Sequence, residues 1–320
     1  MSEIKHGNLV VSSAPHVVSP VNTSRIMLDV IIALVPALIM EVVVFGMRAL
    51  MLTVACVAAC VVFEWAARKI MGREQTISDL SAVVTGVLLS YNLPSNLPIW
   101  MAVIGCFVAV VVVKQLFGGL GQNFANPAIV GRIVLFVSFA TPMTTWPLTK
   151  GQLAAAAADA VTGPTPLALF AKGEAVPSNL DMFLGFIGGS MGEVSALALL
   201  IGGVYLVVRK VIEPTIPLCF IGTVFVFALA AGLDPVFHIC AGGVMLGAIF
   251  MATDYVTSPI TAKGKIVFGI GCGLLTMMIR LYSSYPEGVS FAILLMNILT
   301  PHIDELTRMK LNGVPKGGDK

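Results

Sequence analysis

The residues of this chain with the types and spacing to do chemistry fall in three stretches. The first is "DAVTGPTPLALF", Asp159 to Phe170, where Thr165 stands between Pro164 and Pro166. A residue before proline is pushed out of the helical region, so Gly163 and Thr165 are expected to be extended. Pro164 also fixes its own φ. A hydroxyl on such a segment is displayed, not folded back into a helix, and suits a threonine that another enzyme modifies. The other two stretches are "KQLFGGLGQNFANPAIVGR", Lys114 to Arg132, and "GAIFMATDYVTSPITAKGK", Gly247 to Lys265. Each follows an apolar run with Phe, then small and amide or hydroxyl residues, then proline, an echo too short to establish a repeat. Gly118, Gly119 and Gly121 let backbone approach a ligand. Gln122, Asn123 and Asn126, with Thr253, Asp254 and Thr257, supply donors and acceptors that suit an uncharged polar ring system better than a phosphate. The plainer alternatives are a Thr/Pro linker for the first stretch and helix caps and turns for the other two. On spacing alone those alternatives are favoured. "GGLGQN" follows an apolar span and lacks the lysine and strand context of a nucleotide-binding loop.

These stretches are separated by membrane-like sequence. Hydrophobic residues make up 57% and charged residues 11% of the 320, about half the usual share of charge in a soluble domain. The expected class is an all-α polytopic membrane protein. A window of roughly 20 apolar residues places spans near 29–46, 48–67, 79–93, 97–116, 127–143, 193–208, 214–232, 236–253, 265–281 and 287–301, about ten in all. The third and fifth are short, and Gly and Pro interrupt others, so broken helices are expected where backbone lines a site. Most Lys and Arg residues fall on one side if both termini are cytoplasmic, among them Arg68, Lys69, Arg73, Lys114, Arg209 and Lys210. The expected organisation is a cytoplasmic segment 1–25, a first bundle 26–143, an outer loop 144–192, a second bundle 193–302 and a cytoplasmic tail 303–320. The outer loop is longer than most inter-helix connections. The net charge of +2 gives no reason to expect nucleic acid, and the polar first 25 residues show no cleavable signal pattern.

Ionisable groups at membrane depth are costly and are read as functional by default. Glu41 and Glu193 are the candidates for a cation path. Glu64 lies near the end of its span, while Asp29 and Asp79 open theirs and read as caps or interfacial groups. The six cysteines, Cys56, Cys60, Cys106, Cys219, Cys240 and Cys272, all lie in apolar spans without a CxxC pair or a run with His. They read as small packing residues, and no metal site is expected.

"RIMLDVIIALVPALIM", "SDLSAVVTGVLLSYNLP", "GGLGQNFANPAIVGR", "DAVTGPTPL", "FMATDYVTSP" and "YPEGVSFAILLMNILTPHID" together resemble the D subunit of the Rnf ion-translocating ferredoxin:NAD oxidoreductase complex. The resemblance runs from about Arg25 to Asp304. The B subunit of the sodium-pumping NADH:quinone reductase is a close relative, usually with a longer N-terminal extension. In these families an outer threonine in a Ser/Thr-Gly-Ala-Thr loop carries FMN through a phosphoester. Carried over, that residue is Thr165, within Thr162, Gly163, Pro164 and Thr165, and Asp159 also matches. Pro164 departs from the usual alanine. The resemblance implies a flavin transferase on the exported side and a non-covalent riboflavin among the spans. Gly119, Gln122, Asn123, Asn126, Thr253 and Asp254 are the groups expected near that riboflavin.

The implied activity is electron transfer in a bacterial cytoplasmic (inner) membrane complex. FMN on this chain accepts electrons from an outer-face flavin subunit, a second flavin passes them inward to a cytoplasmic NAD-reducing subunit, and Na⁺ or H⁺ is exported. The chain has no nicotinamide fingerprint and no catalytic residue of its own is expected. The flavin does the redox chemistry and the protein positions it. The rival reading is a flavin-free channel or carrier for a small solute, which broken helices and buried carboxylates fit equally well. A third is a structural anchor.

Overall fold

The computed structural model describes residues 5–6, 9–10, 22–149, 162–283 and 288–308. Helices dominate. After a two-residue strand pair, β1 (Lys5–His6) and β2 (Leu9–Val10), come α1 (Thr23–Phe45) and α2 (Met47–Ile70). Asn22 caps α1 by accepting the Arg25 N–H. Gly46, at φ 87°, ends α1 and begins α2, a backbone state that favours glycine. Then follow α3 (Ser81–Tyr91), α4 (Ile99–Phe107), α5 (Pro127–Ser138) and α6 (Ala140–Thr144).

The second half holds α7 (Pro166–Lys172), α8 (Asn179–Leu184), α9 (Ala196–Val208) and α10 (Thr215–Ala230). It ends with α11 (Pro235–Cys240), α12 (Val244–Leu246), α13 (Ala262–Tyr282) and α14 (Val289–Thr307). Among the described residues after α6 there is regular structure. Trp146–Pro147 (β3) pairs antiparallel with Thr162–Gly163 (β4), and α7 and α8 follow. Asp159 lies outside the described residues.

α1 shows why this sequence belongs in lipid. One stripe, Ala33, Leu34, Ala37, Glu41 and Val44, is buried, while Leu28, Ile32, Val35, Ile39 and Val43 are exposed. A helix apolar on both faces has no stable place at a water surface. By length and composition α1, α2, α13 and α14 can each cross a membrane. α3, Ile99–Gln115, α5, α9 and α10 are shorter apolar helices. The protein is a multi-pass helical membrane protein.

All ten apolar segments read from the sequence are helical, but two are broken. The fifth splits at Phe139. The eighth splits at Gly242 and Gly243, both at positive φ, which separate α11 from α12. Inside a membrane such a break leaves carbonyls without partners. Arg280 on α13 supplies them, donating to His238 O and Ala241 O at 2.6 Å and to Gly242 O at 3.1 Å. In the sequence alone this arginine reads as a boundary charge.

α4 and α12 both run on into π-helical turns, Val108–Gln115 and Gly247–Met251. Such turns are rare and concentrate at functional sites. The first runs into one of the two echoing polar stretches and the second opens the other.

Candidate functional site: two cavities at opposite ends of α9

The larger cavity, of about 110 Å³, lies where α1 begins and α9 ends. Ile26, Met27 and Val30 of α1, Val84 and Leu88 of α3, and Leu206 and Phe250 give it apolar walls. Its polar groups come from both echoing stretches: Asn123 and Asn126 from one, Thr253 and Asp254 from the other. Asn126 joins the two, donating from Nδ2 to Met251 O at 3.2 Å while its Oδ1 caps α5 at Ala128 N. Thr253 Oγ1 donates to Ile249 O at 2.6 Å, closing the π turn. Asp254 accepts from Thr257 Oγ1 at 3.1 Å and from Val256 N. It is packed among protein atoms with one side open to the cavity. Burial raises its carboxyl above the usual carboxylate range, opposed by the Thr257 and Val256 hydrogen bonds.

Four of the six residues expected to meet a flavin thus line one space. Gly119 and Gln122 do not. Gly119 packs instead against Arg68, whose Nη2 would lie 2.7 Å from an added Cβ.

Sequence reasoning missed the strongest group in this cavity. Lys114 reads as a charge at the membrane face, yet it is 2% exposed and lines the cavity with Ser81. Its Nζ donates to Glu64 Oε2 at 2.8 Å and to Ser81 Oγ at 2.6 Å. A buried carboxylate 50 residues away in sequence gave no local signal. Asp79 caps as expected, accepting the Ser81 N–H at 2.8 Å.

The smaller cleft is lined by Thr165, Pro166, Gly188, Gly189, Ser190, Glu193 and Gly242. Thr165 is extended, at φ −71° and ψ 159°, as the flanking prolines require. The expectation of a displayed hydroxyl is corrected: Thr165 is 5% exposed. Its Oγ1 caps α7, accepting from Ala168 N at 3.2 Å, because Pro166 at N1 makes the preceding threonine a natural cap. It is Pro164 that is exposed, and it is not among the residues lining the cleft.

The cleft suits a phosphoryl group on Thr165. The hydroxyl has used one acceptor position and keeps its proton. Ser190 Oγ is buried with no hydrogen-bond partner, and a Cβ added at Gly189 meets nothing within 4 Å. Glu193 faces the same cleft, but Arg132 Nη1 stands 3.5 Å from its carboxylate and offsets its charge.

Glu193 therefore sits beside Thr165. Glu41 lies elsewhere, fully buried, accepting from Thr53 Oγ1 at 2.9 Å with its second oxygen unpartnered. Asp29, read as an interfacial group, pairs with Arg209 at 3.2 Å and accepts from Tyr205 Oη on α9. Among the described residues no group of three or more His, Cys, Asp or Glu side chains is arranged to hold a metal ion.

α9 separates the two sites. Val194, just before α9, borders the cleft, and Leu206, in its last turn, lines the larger cavity.

Residues 10–313 match the NQR2, RnfD, RnfE family. The chain is 51% identical to the D subunit of the Na(+)-translocating ferredoxin:NAD(+) oxidoreductase complex of Acetobacterium woodii, covering 97% of this chain and 96% of that one. It is 44% identical to the D subunit of the proton-translocating ferredoxin:NAD(+) oxidoreductase complex of Clostridium ljungdahlii, over 96% and 97%. It is 39% identical to the D subunit of the ion-translocating oxidoreductase complex of Stutzerimonas stutzeri, over 91% and 92%. The chain belongs to the NQR2, RnfD, RnfE family, among its D subunits.

Proposed function

We propose that this chain is the flavin-bearing membrane subunit of an Rnf-type complex that couples ferredoxin:NAD electron transfer to export of Na⁺ or H⁺. It crosses the bacterial inner membrane about ten times with both termini cytoplasmic. FMN is held on Thr165 by a phosphoester made by a flavin transferase, and riboflavin occupies the larger cavity. Electrons arrive from an outer-face flavin subunit and leave toward a cytoplasmic NAD-reducing subunit.

The observation that carries this reading is the pairing of two differently built cavities at opposite ends of one helix. The cleft offers a threonine hydroxyl, an unpartnered serine hydroxyl and one open glycine, Gly189, a setting for a tethered phosphoryl group. The larger cavity offers apolar walls with amide and hydroxyl groups, a setting for a polar ring. Bound flavins supply the redox chemistry; the chain holds them on two sides and keeps water from the path between. Pro164 is exposed and lies outside the cleft lining, and Thr165 beside it is extended, so the departure from alanine is compatible with attachment. Glu41, with its unpartnered oxygen, and Glu193, beside the cleft, are the candidate ion groups. The relatives include sodium- and proton-translocating proteins at 51% and 44% identity, so overall similarity does not choose the ion.

The test is a denaturing gel of the purified chain, made with the transferase present. A fluorescent flavin band is expected, and Thr165→Ala removes it. A dark wild-type band would favour the carrier reading.

A further inference from the structure

We propose that Lys114 is the fixed cation of the larger cavity, placed to meet the electron-rich edge of a bound ring and to hold its reduced form more tightly than its oxidised form. This rests on the reading that the cavity takes a flavin.

The placement is built from three elements. Lys114 comes from the π turns after α4, Glu64 from α2 and Ser81 from α3. The Ser81 hydroxyl donates to Asp79 Oδ1 at 2.5 Å, which turns its oxygen lone pair toward the ammonium at 2.6 Å. An ammonium has three N–H donors. Glu64 and Ser81 take two, and among the described residues the third has no acceptor. Lys114 and Ser81 both line the cavity.

The charge balance favours a positive wall. Glu64 is also approached by Arg68 Nε at 3.9 Å and accepts from Gln115 Nε2 at 3.1 Å and Thr76 Oγ1 at 3.3 Å. Its carboxylate is thus shared between two cations. Arg73 adds a third nearby, bonded to Gln115 O at 3.0 Å. Asp254, on the facing loop, is the opposing acid of the cavity wall, and burial pushes it toward its neutral form. Asp79 faces Ser81 rather than the ammonium.

Stability alone does not explain the pair. Buried ion pairs are weak stabilisers, because desolvation cancels much of their attraction. An ammonium kept inside an apolar bundle and opened to a cavity is better explained by what it meets there. A ring that gains electrons gains negative charge, and a cation already in place stabilises that form without reorganisation.

The experiment uses the intact complex carrying Thr165→Ala, so that this chain contributes only non-covalent flavin. Flavin released on denaturation is counted by chromatography, and the bound flavin is titrated potentiometrically. Lys114→Met should lower its midpoint potential, with the reduced form losing at least ten-fold in affinity relative to the oxidised form, about 30 mV for a two-electron couple. Glu64→Gln, which frees the ammonium, should raise it. The double variant Lys114→Met/Glu64→Gln strands no charge and, should the single lysine variant fail to assemble, takes its place, with a downward shift expected. Lys114→Arg should stay near wild type. Unchanged potentials, or shifts of the same sign for Lys114→Met and Glu64→Gln, overturn the proposal. Loss of all non-covalent flavin from the Thr165→Ala complex with Lys114 intact would instead sink the cavity's flavin reading.

Discussion

At the scale of single residues, Thr165 shows how local chemistry can be read correctly and its surroundings missed. The flanking prolines fix an extended backbone, and it is extended. They do not say what packs on top. The 187–194 segment and Gly242, distant in sequence, cover the hydroxyl. The cap and the proposed attachment point are therefore one oxygen, and substitutions can separate them. Thr165→Ser should keep both. Thr165→Asn should keep the cap, since Asn is a good N-cap, yet leave no hydroxyl for a phosphoester. Its gel band should be dark while its thermal midpoint stays near wild type. Thr165→Ala should lose the band and about 1 kcal/mol of local stability. Asp254 gives a second residue-scale prediction. Its native carboxyl sits above the usual carboxylate range, so the native state binds its proton more tightly than the unfolded chain. Its stabilising contribution is complete below about pH 4, the unfolded value. It is lost as pH rises through the raised native value. Thermal midpoints measured over pH should fall across that window for wild type relative to Asp254→Asn. A constant difference would contradict the assignment.

At the scale of elements, apolar runs marked the helices to within a few residues at most ends, because lipid-length hydrophobicity is a strong local signal. Breaks were less legible. The eighth segment reads as continuous because Gly and Ala are apolar enough to pass a window. Its interruption depends on Arg280, 38 residues beyond Gly242, satisfying the freed carbonyls. The meeting of the two echoing stretches was legible only in composition. Their convergence needed the Asn126–Met251 bond and the π turns at the start of each stretch. Close helix contact sets another limit. A Cβ on Gly192 would collide with the Tyr91 ring, and Tyr91 is itself fixed by its hydroxyl on Leu34 O. Gly192→Ala should cost about 1–3 kcal/mol through overpacking, seen as a lowered thermal midpoint. Gly222→Ala on α10, where an added Cβ meets nothing within 4 Å, should be neutral or mildly stabilising. Equal effects at the two positions would contradict the packing described.

For the whole molecule, the account is a route across a bilayer. Exposed apolar stripes on α1 and α2 face outward, and the charged side chains Glu41, Glu64, Lys114 and Arg280 inside the bundle are paired or hydrogen-bonded. Two cavities open at opposite ends of α9, with different chemistry in each. The rule that most Lys and Arg lie on one side places the loop with Thr165 opposite the loops with Asn126 and Asp254, and these segments do border opposite ends of α9. The rule did not reveal that Lys114 is buried, because a buried cation and a boundary cation look alike in sequence. The account rests on a flavin joined to Thr165. The most direct measurement is mass spectrometry of the tryptic peptide 151–172 from intact complex that is active in ferredoxin-dependent NAD reduction. The account predicts that this peptide carries the mass of FMN less water, localised by fragmentation to Thr165. The unmodified peptide as the dominant species in that active complex would contradict it.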